Sequence, residues 1–185
     1  MVDYSARPRP RKYRDPEEVA RRRAERAAAR TPEDWRKFAR DLCYRQLGMM
    51  ERSVQQLRVV LERNDVPADI ATETLDAFIE ADLVNDERFA GMFVRSKFAQ
   101  KATSRRVIAR ELQRKGINQE IAQEALAQIS EEDELAAAID FAQRRARTMA
   151  NLAPEVARRR LYGALARRGY NPDQVRQALN AAGIC

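Results

Sequence analysis

The sequence predicts an all-α protein: three tandem three-helix repeats stacked into an elongated body that the stacking can curve, preceded by a basic, flexible N-terminal tail. Charged residues make up 34% of the 185 positions and aromatics only 6%, with six glycines and seven prolines. That balance favours long charged helices over turn-rich sheets. Apolar residues recur at helical spacing. A pattern of about fifty residues also occurs three times, the mark of a repeat architecture.

The repeat is read from constant displacements. Leu57 and Leu61, Ile108 and Leu112, and Leu161 and Leu165 are pairs four residues apart, separated from one another by 51 and then 53 positions. Leu75, Leu126 and Leu179 keep the same displacements. Arg114-Lys115-Gly116-Ile117-Asn118 aligns with Arg167-Arg168-Gly169-Tyr170-Asn171, and more loosely with Arg63-Asn64-Asp65-Val66-Pro67. Each of these segments spells a helix end followed by a helix start. Gly116 and Gly169 suit the left-handed residue that closes a helix, and the basic residues before them suit its negative end. Asn118 and Asn171 suit the cap of the next helix, and Pro172 its first position.

Taken in order, residues 1–14 carry Pro8, Pro10 and alternating basic residues, too little apolar surface to offset ordering entropy, and are expected to be disordered. Asp15-Pro16-Glu17-Glu18 has helix-start chemistry, yet Arg21 to Arg26 lacks an apolar stripe, so a helix there is solvated and marginal. Residues 1–30 therefore read as a tail. Thr31-Pro32-Glu33-Asp34 opens the folded region with a cap, a proline and two acids, and Trp35, Phe38, Leu42 and Leu47 follow as a core-facing stripe. Helices are predicted over 32–47, 53–63 and 67–82 in a first repeat (31–84); 86–99, 104–115 and 119–129 in a second (85–130); and 131–148, 155–168 and 172–181 in a third (131–185). A unit of about fifty residues is marginal alone, which is why neighbours are expected to stack.

The same sequence excludes much chemistry. There is no histidine, which removes the commonest general base, the usual catalytic triads and most zinc sites. Asp and Glu fall mainly at helix starts and on charged faces, where dipoles and solvation account for them. The glycines are scattered, with no phosphate-cradling run before Lys-Ser or Lys-Thr. No catalytic residue, metal or cofactor is expected, and the chain does not read as an enzyme. It has no apolar run of about 18 residues and no secretory signal, so no membrane association and a cytoplasmic location are expected. Cys43 and Cys185 lack metal-ligand spacing, and Cys43 reads as a reduced core thiol.

Net charge is +7 with a pI near 9.8, which favours a polyanionic partner. Residues 1–30 hold 10 Lys and Arg against 5 Asp and Glu, and residues 31–185 hold 25 against 23. Within the folded part, Arg106, Arg110 and Arg114 fall at successive four-residue steps on the second helix of repeat two, flanked by Arg105 and Lys115. Arg95, Lys97 and Lys101 add to this, and repeat three supplies Arg144, Arg145, Arg147, Arg158, Arg159, Arg160, Arg167 and Arg168. Arg105, Arg106 and Arg114 map onto Arg158, Arg159 and Arg167, whereas repeat one offers mainly Arg52, Arg58 and Arg63. Each arginine taken singly is equally a solvated helix face. The recurring series suits phosphates or an acidic protein surface. Third helices that carry Asp69, Glu73, Asp76, Glu80, Glu120 and Glu124 argue against a helix-turn-helix reader of the major groove.

Several of these segments are similar to those of a known family. Ala81-Asp82-Leu83-Val84-Asn85-Asp86-Glu87-Arg88-Phe89-Ala90 resembles the most recognisable segment of the RecX regulators, a small apolar turn, an acid pair and Arg-Phe-Ala. Arg52-Ser53 with Gln56-Leu57 is similar to the first-repeat signature, although the family usually has Glu at the place of Gln56. Glu111-Leu112-Gln113-Arg114-Lys115-Gly116-Ile117 matches the middle-repeat motif, and the resemblance spans roughly residues 36–182. It implies a monomer that binds the helical groove of the RecA filament on DNA and restrains RecA assembly, ATP hydrolysis, strand exchange and co-protease activity, within DNA repair, homologous recombination and the SOS response. Weak association with single- or double-stranded DNA is expected beside it. The alternative is a DNA-binding or architectural protein that acts without RecA. In this setting Asp86 is expected to cap a helix, Phe89 to enter the core and Arg88 to be exposed for contact.

Overall fold

The computed structural model describes residues 27–184 together with Asp15, Glu17, Glu18, Arg21 and Glu25, and the backbone alone of Lys101. The disorder expected for residues 1–14 lies outside the described residues, as does Cys185. Among the described residues, helices α1 (Pro32–Leu47), α2 (Val54–Arg63) and α3 (Ala68–Glu80) are followed by α4 (Asp86–Lys101), α5 (Arg105–Arg114) and α6 (Gln119–Leu126), then α7 (Glu131–Arg147), α8 (Pro154–Arg167) and α9 (Pro172–Ala181), with no strand.

Local chemistry sets these boundaries. Thr31, Ser53, Ser130 and Asn171 each accept the N–H three residues ahead, while the side chain of that residue accepts their own N–H. Two otherwise orphaned donors are satisfied at each start. Each second helix ends with the same reverse bond: Val66 N–H to the Leu61 carbonyl (3.1 Å), Ile117 to Leu112 (3.1 Å) and Tyr170 to Leu165 (3.4 Å). The residue that turns the chain there has positive φ, at Asp65 (60°), Gly116 (81°) and Gly169 (87°). Three ends depart from expectation by two residues or more, the other bounds by at most one. α3 stops at Glu80 rather than near 82, because Asp82 is left-handed; α4 runs to Lys101 rather than 99, until left-handed Ala102 stops it; and α6 stops at Leu126, short of 129.

Every substantial helix–helix contact among the described residues lies within one group of three consecutive helices. The groups enclose separate cores, built on Leu57, Leu61 and Leu75, on Ile108 and Leu112 with Phe89 and Val94, and on Leu161 and Leu165 with Tyr170 and Val175. Cys43 is buried in the first core, where burial pushes its thiol up to about 11. It is unpaired.

Two equivalent joints connect the groups. At the first, Ser53 Oγ donates to the Lys115 carbonyl (2.6 Å) and Val54 N–H donates to Asp86 Oδ1 (2.9 Å). At the second, Ser104 N–H donates to the Arg168 carbonyl (3.0 Å) and Arg105 N–H to Glu134 Oε1 (2.7 Å). In both, the start of a second helix seats on the glycine turn of the next group, and a carboxylate from that group's first helix caps it. Gln174 Nε2 also donates to Glu134 Oε2 (3.0 Å), and Tyr170 OH to the Ala102 carbonyl (2.7 Å). A Cβ on Gly116 would strike Gln55, and one on Gly169 would strike Ser104 and Val107.

Candidate polyanion-binding face

Burial of Ile108 and Leu112 fixes the rotation of α5 and turns Arg106, Arg110 and Arg114 to solvent. None of the three forms an ion pair with a described residue, so their guanidinium donors are available to a ligand. Arg105 and Lys115 are half-buried at its two ends. Arg105 and Arg106 line a cleft at the second joint beside Glu134, while Arg114 and Lys115 line one at the first joint beside Gln56 and Glu111. The Lys115 ammonium lies 5.1 Å from the Phe93 ring centroid.

The other predicted residues divide by their partners. Arg88 is exposed, as expected, but already engaged: it pairs with Glu51 (3.2 Å) and Asp82 (3.0 Å) and donates to the Asp82 carbonyl (3.2 Å). It clamps the α1–α2 connection to the turn before α4. The Asp82 carboxyl is held below its usual range by Asn85 and then by Arg88. Asp86 caps a helix, but that helix is α2 of the preceding group, while Asn85 caps α4. Burial pushes the Asp86 carboxyl up, against the opposing pull of the Val54 N–H. Phe89 is buried. Lys97 pairs with Glu111 and is half-buried, and Arg144 pairs with Asp140 (2.8 Å), so neither projects alone. Arg95 is exposed, and the Lys101 side chain lies outside the described residues.

In the last three helices, Arg145, Arg158, Arg159, Arg160 and Arg167 are exposed. Arg145, Arg159, Arg160 and Arg167 surround one groove. Arg168 instead stacks on Phe141, 3.8 Å from the ring centroid, and burial lowers its basicity, with Arg145 and Arg167 adding repulsion. Periodicity missed Ser53, Ser104 and Glu134, whose joint contacts join distant residues. The first two had a signal in their common 51-residue displacement. Charge follows the same division: residues 31–84 carry 7 Lys and Arg against 11 Asp and Glu, residues 85–130 carry 9 against 5, and residues 131–185 carry 9 against 7. The positive face belongs to the last two groups.

Comparison with known proteins gives this architecture a lineage. The regulatory protein RecX of Streptomyces coelicolor is 36% identical over 156 residues, which span 82% of this chain and 83% of that protein. The chain belongs to the RecX family. The regulatory protein RecX of Amycolatopsis mediterranei is 33% identical over 139 residues, 75% of this chain and 79% of that one. The second three-helix domain of RecX matches residues 85–126 and the third matches 131–179. The fold is shared with the crystal structure of RecX from Lactobacillus salivarius (TM-score 0.71, 20% identity, 83% of this chain and 99% of that one). It is shared equally with another crystal structure of regulatory protein RecX (TM-score 0.71, 19% identity, 91% and 80%). Among the described residues, no helix is long and apolar enough to cross a membrane.

Proposed function

We propose that this chain is a cytoplasmic, non-catalytic, monomeric regulator that seats in the groove of a RecA filament on DNA and restrains its assembly, ATP hydrolysis, strand exchange and co-protease activity. Membership of a family whose proteins are named for regulation supports the general role. The observation that carries the mode of binding is the row of Arg106, Arg110 and Arg114, exposed and without carboxylate partners among the described residues. Guanidinium forks at one-turn intervals suit phosphate oxygens and protein carboxylates. Joined groups of helices add weak contacts through effective concentration, so a body touching several protomers binds more tightly than any one group.

Reversal of Arg106, Arg110 and Arg114 to Glu is expected to weaken inhibition of RecA ATPase by at least about tenfold, since each lost charge contact removes an electrostatic increment. Far-UV circular dichroism should stay unchanged, because none of the three enters the core. Undiminished inhibition refutes this placement. Binding to bare single-stranded DNA that equals binding to RecA-coated DNA would favour a DNA-binding protein that acts without RecA.

A further inference from the structure

Arg159, Gly163 and Arg167 stand 53 positions after Arg106, Arg110 and Arg114. The register that gives α5 an unbroken ridge therefore gives α8 a ridge whose central side chain is missing. A groove of about 660 Å³ opens in this region, between the end of α7, the α7–α8 connection and α8. Arg145, Arg159, Arg160 and Arg167 form its walls, with Leu152 and Ala164 among its apolar lining, and no acidic residue lines it. None of the four arginines makes an ion pair with a described residue.

Gly163 has no backbone reason to be glycine. It lies inside α8 without a left-handed φ, and a Cβ there would meet only the far end of the Arg167 side chain, at 3.3 Å from Nη1. Glycine within a helix is unfavourable relative to alanine, so the space it leaves calls for an occupant. Four unpaired guanidiniums around that space select a compact group with several anionic oxygens. The apolar lining suits the sugar and base attached to it. Tyr162, 48% exposed, follows Arg158 and Arg159 by one turn and offers a stacking face beside the charges.

We propose that this groove of the third helix group binds a nucleotide phosphate, presented by a free nucleotide or by the backbone of a single strand. Arg145, Arg159, Arg160 and Arg167 hold the phosphate oxygens, and the gap at Gly163 admits the nucleoside. The site acts in the free chain, so it stands or falls separately from the filament reading.

The test measures binding of the full chain to a fluorescein-labelled oligothymidylate of about ten nucleotides, within the usual span of single-strand sites. R159Q/R160Q/R167Q is compared with K37Q/R40Q/R45Q, which removes the same charge from exposed positions of α1, and circular dichroism verifies folding of each. The α8 variant is expected to bind at least about tenfold more weakly and the α1 variant less than about threefold, the first losing phosphate contacts and the second only general attraction. Gly163→Arg copies the unbroken ridge and adds positive charge while filling the groove; it is expected to weaken binding. Displacement of the strand by ATP supports a free nucleotide as ligand, and its failure with the α8 dependence intact supports the strand backbone. Equal losses in the two triple variants, tighter binding by Gly163→Arg, absence of binding, or displacement by polyglutamate as effective as by unlabelled strand would each overturn the proposal.

Discussion

The second helices α2 and α5 share an inner face and differ on the outer one. Leu57 and Leu61 occupy the places of Ile108 and Leu112, all four completely buried, and both helices begin with a serine cap that also meets the next group. Outward, α5 carries Arg106, Arg110 and Arg114 where α2 carries Gln55, Val59 and Arg63. Packing and the joint hold the inner register to one solution, because a shifted leucine leaves a cavity or a clash. No such constraint acts on side chains in water. The outer face is where repeats of one pattern diverge, from the mixed surface of α2 to the arginine row of α5.

That contrast is sharpest in substitutions. Leu112→Ala and Leu61→Ala are each expected to lower unfolding free energy by about 2–5 kcal/mol, read from urea melts, with inhibition lost only as folding is lost. Gly116→Ala and Gly169→Ala come next, at about 1–3 kcal/mol, combining a left-handed alanine with collision at the joint. Limited proteolysis between the groups should accelerate in both. Ser53→Ala removes the donor to the Lys115 carbonyl and is expected to cost about 1 kcal/mol, visible in the same melts. Alanine at Arg106, Arg110 and Arg114 together is expected to change stability by only about 0.5 kcal/mol per site, while partner binding collapses. Similar losses of stability for inner and outer sets would erase the distinction.

The smallest effect concerns Asp86, whose carboxyl is raised by burial. The folded state then holds this proton more tightly than the unfolded state, so ionised Asp86 costs stability above its raised pKa. As pH falls through that value towards the ordinary 3.8, the cost is relieved. Asp86→Asn keeps an oxygen for the Val54 N–H and removes the charge. Its stability advantage over the native chain at neutral pH should shrink on acidification, as followed by urea melts across that range.

The fold was legible because its determinants are local or periodic. Leucine pairs at constant displacement marked the cores, and Thr31, Asn171, Gly116 and Gly169 marked helix ends through the backbone groups they satisfy. The proposed binding face was legible only as a set of charges. Partners from other helices decide which charges remain available, and Glu111 for Lys97 or Glu51 for Arg88 follows from helix packing, not from spacing. The groove in α8 depends on an absent side chain at Gly163, which a count of arginines passes over.

The paired joints need particular residues at the positions that dock. A docking scheme that repeats can in principle recruit further copies without limit, as an open sheet edge recruits strands. Two equivalent positions lack those residues. At the leading one the turning residue is Asp65 rather than glycine, so a side chain stands where a neighbour's helix would settle. At the trailing one α8 begins a turn early, at Pro154, and the amide of Ala157, which matches Ser104, is already spent on the Ala153 carbonyl. Docking of one three-helix group on the next is thus written at Gly116 and Gly169, and left out at Asp65 and Ala157.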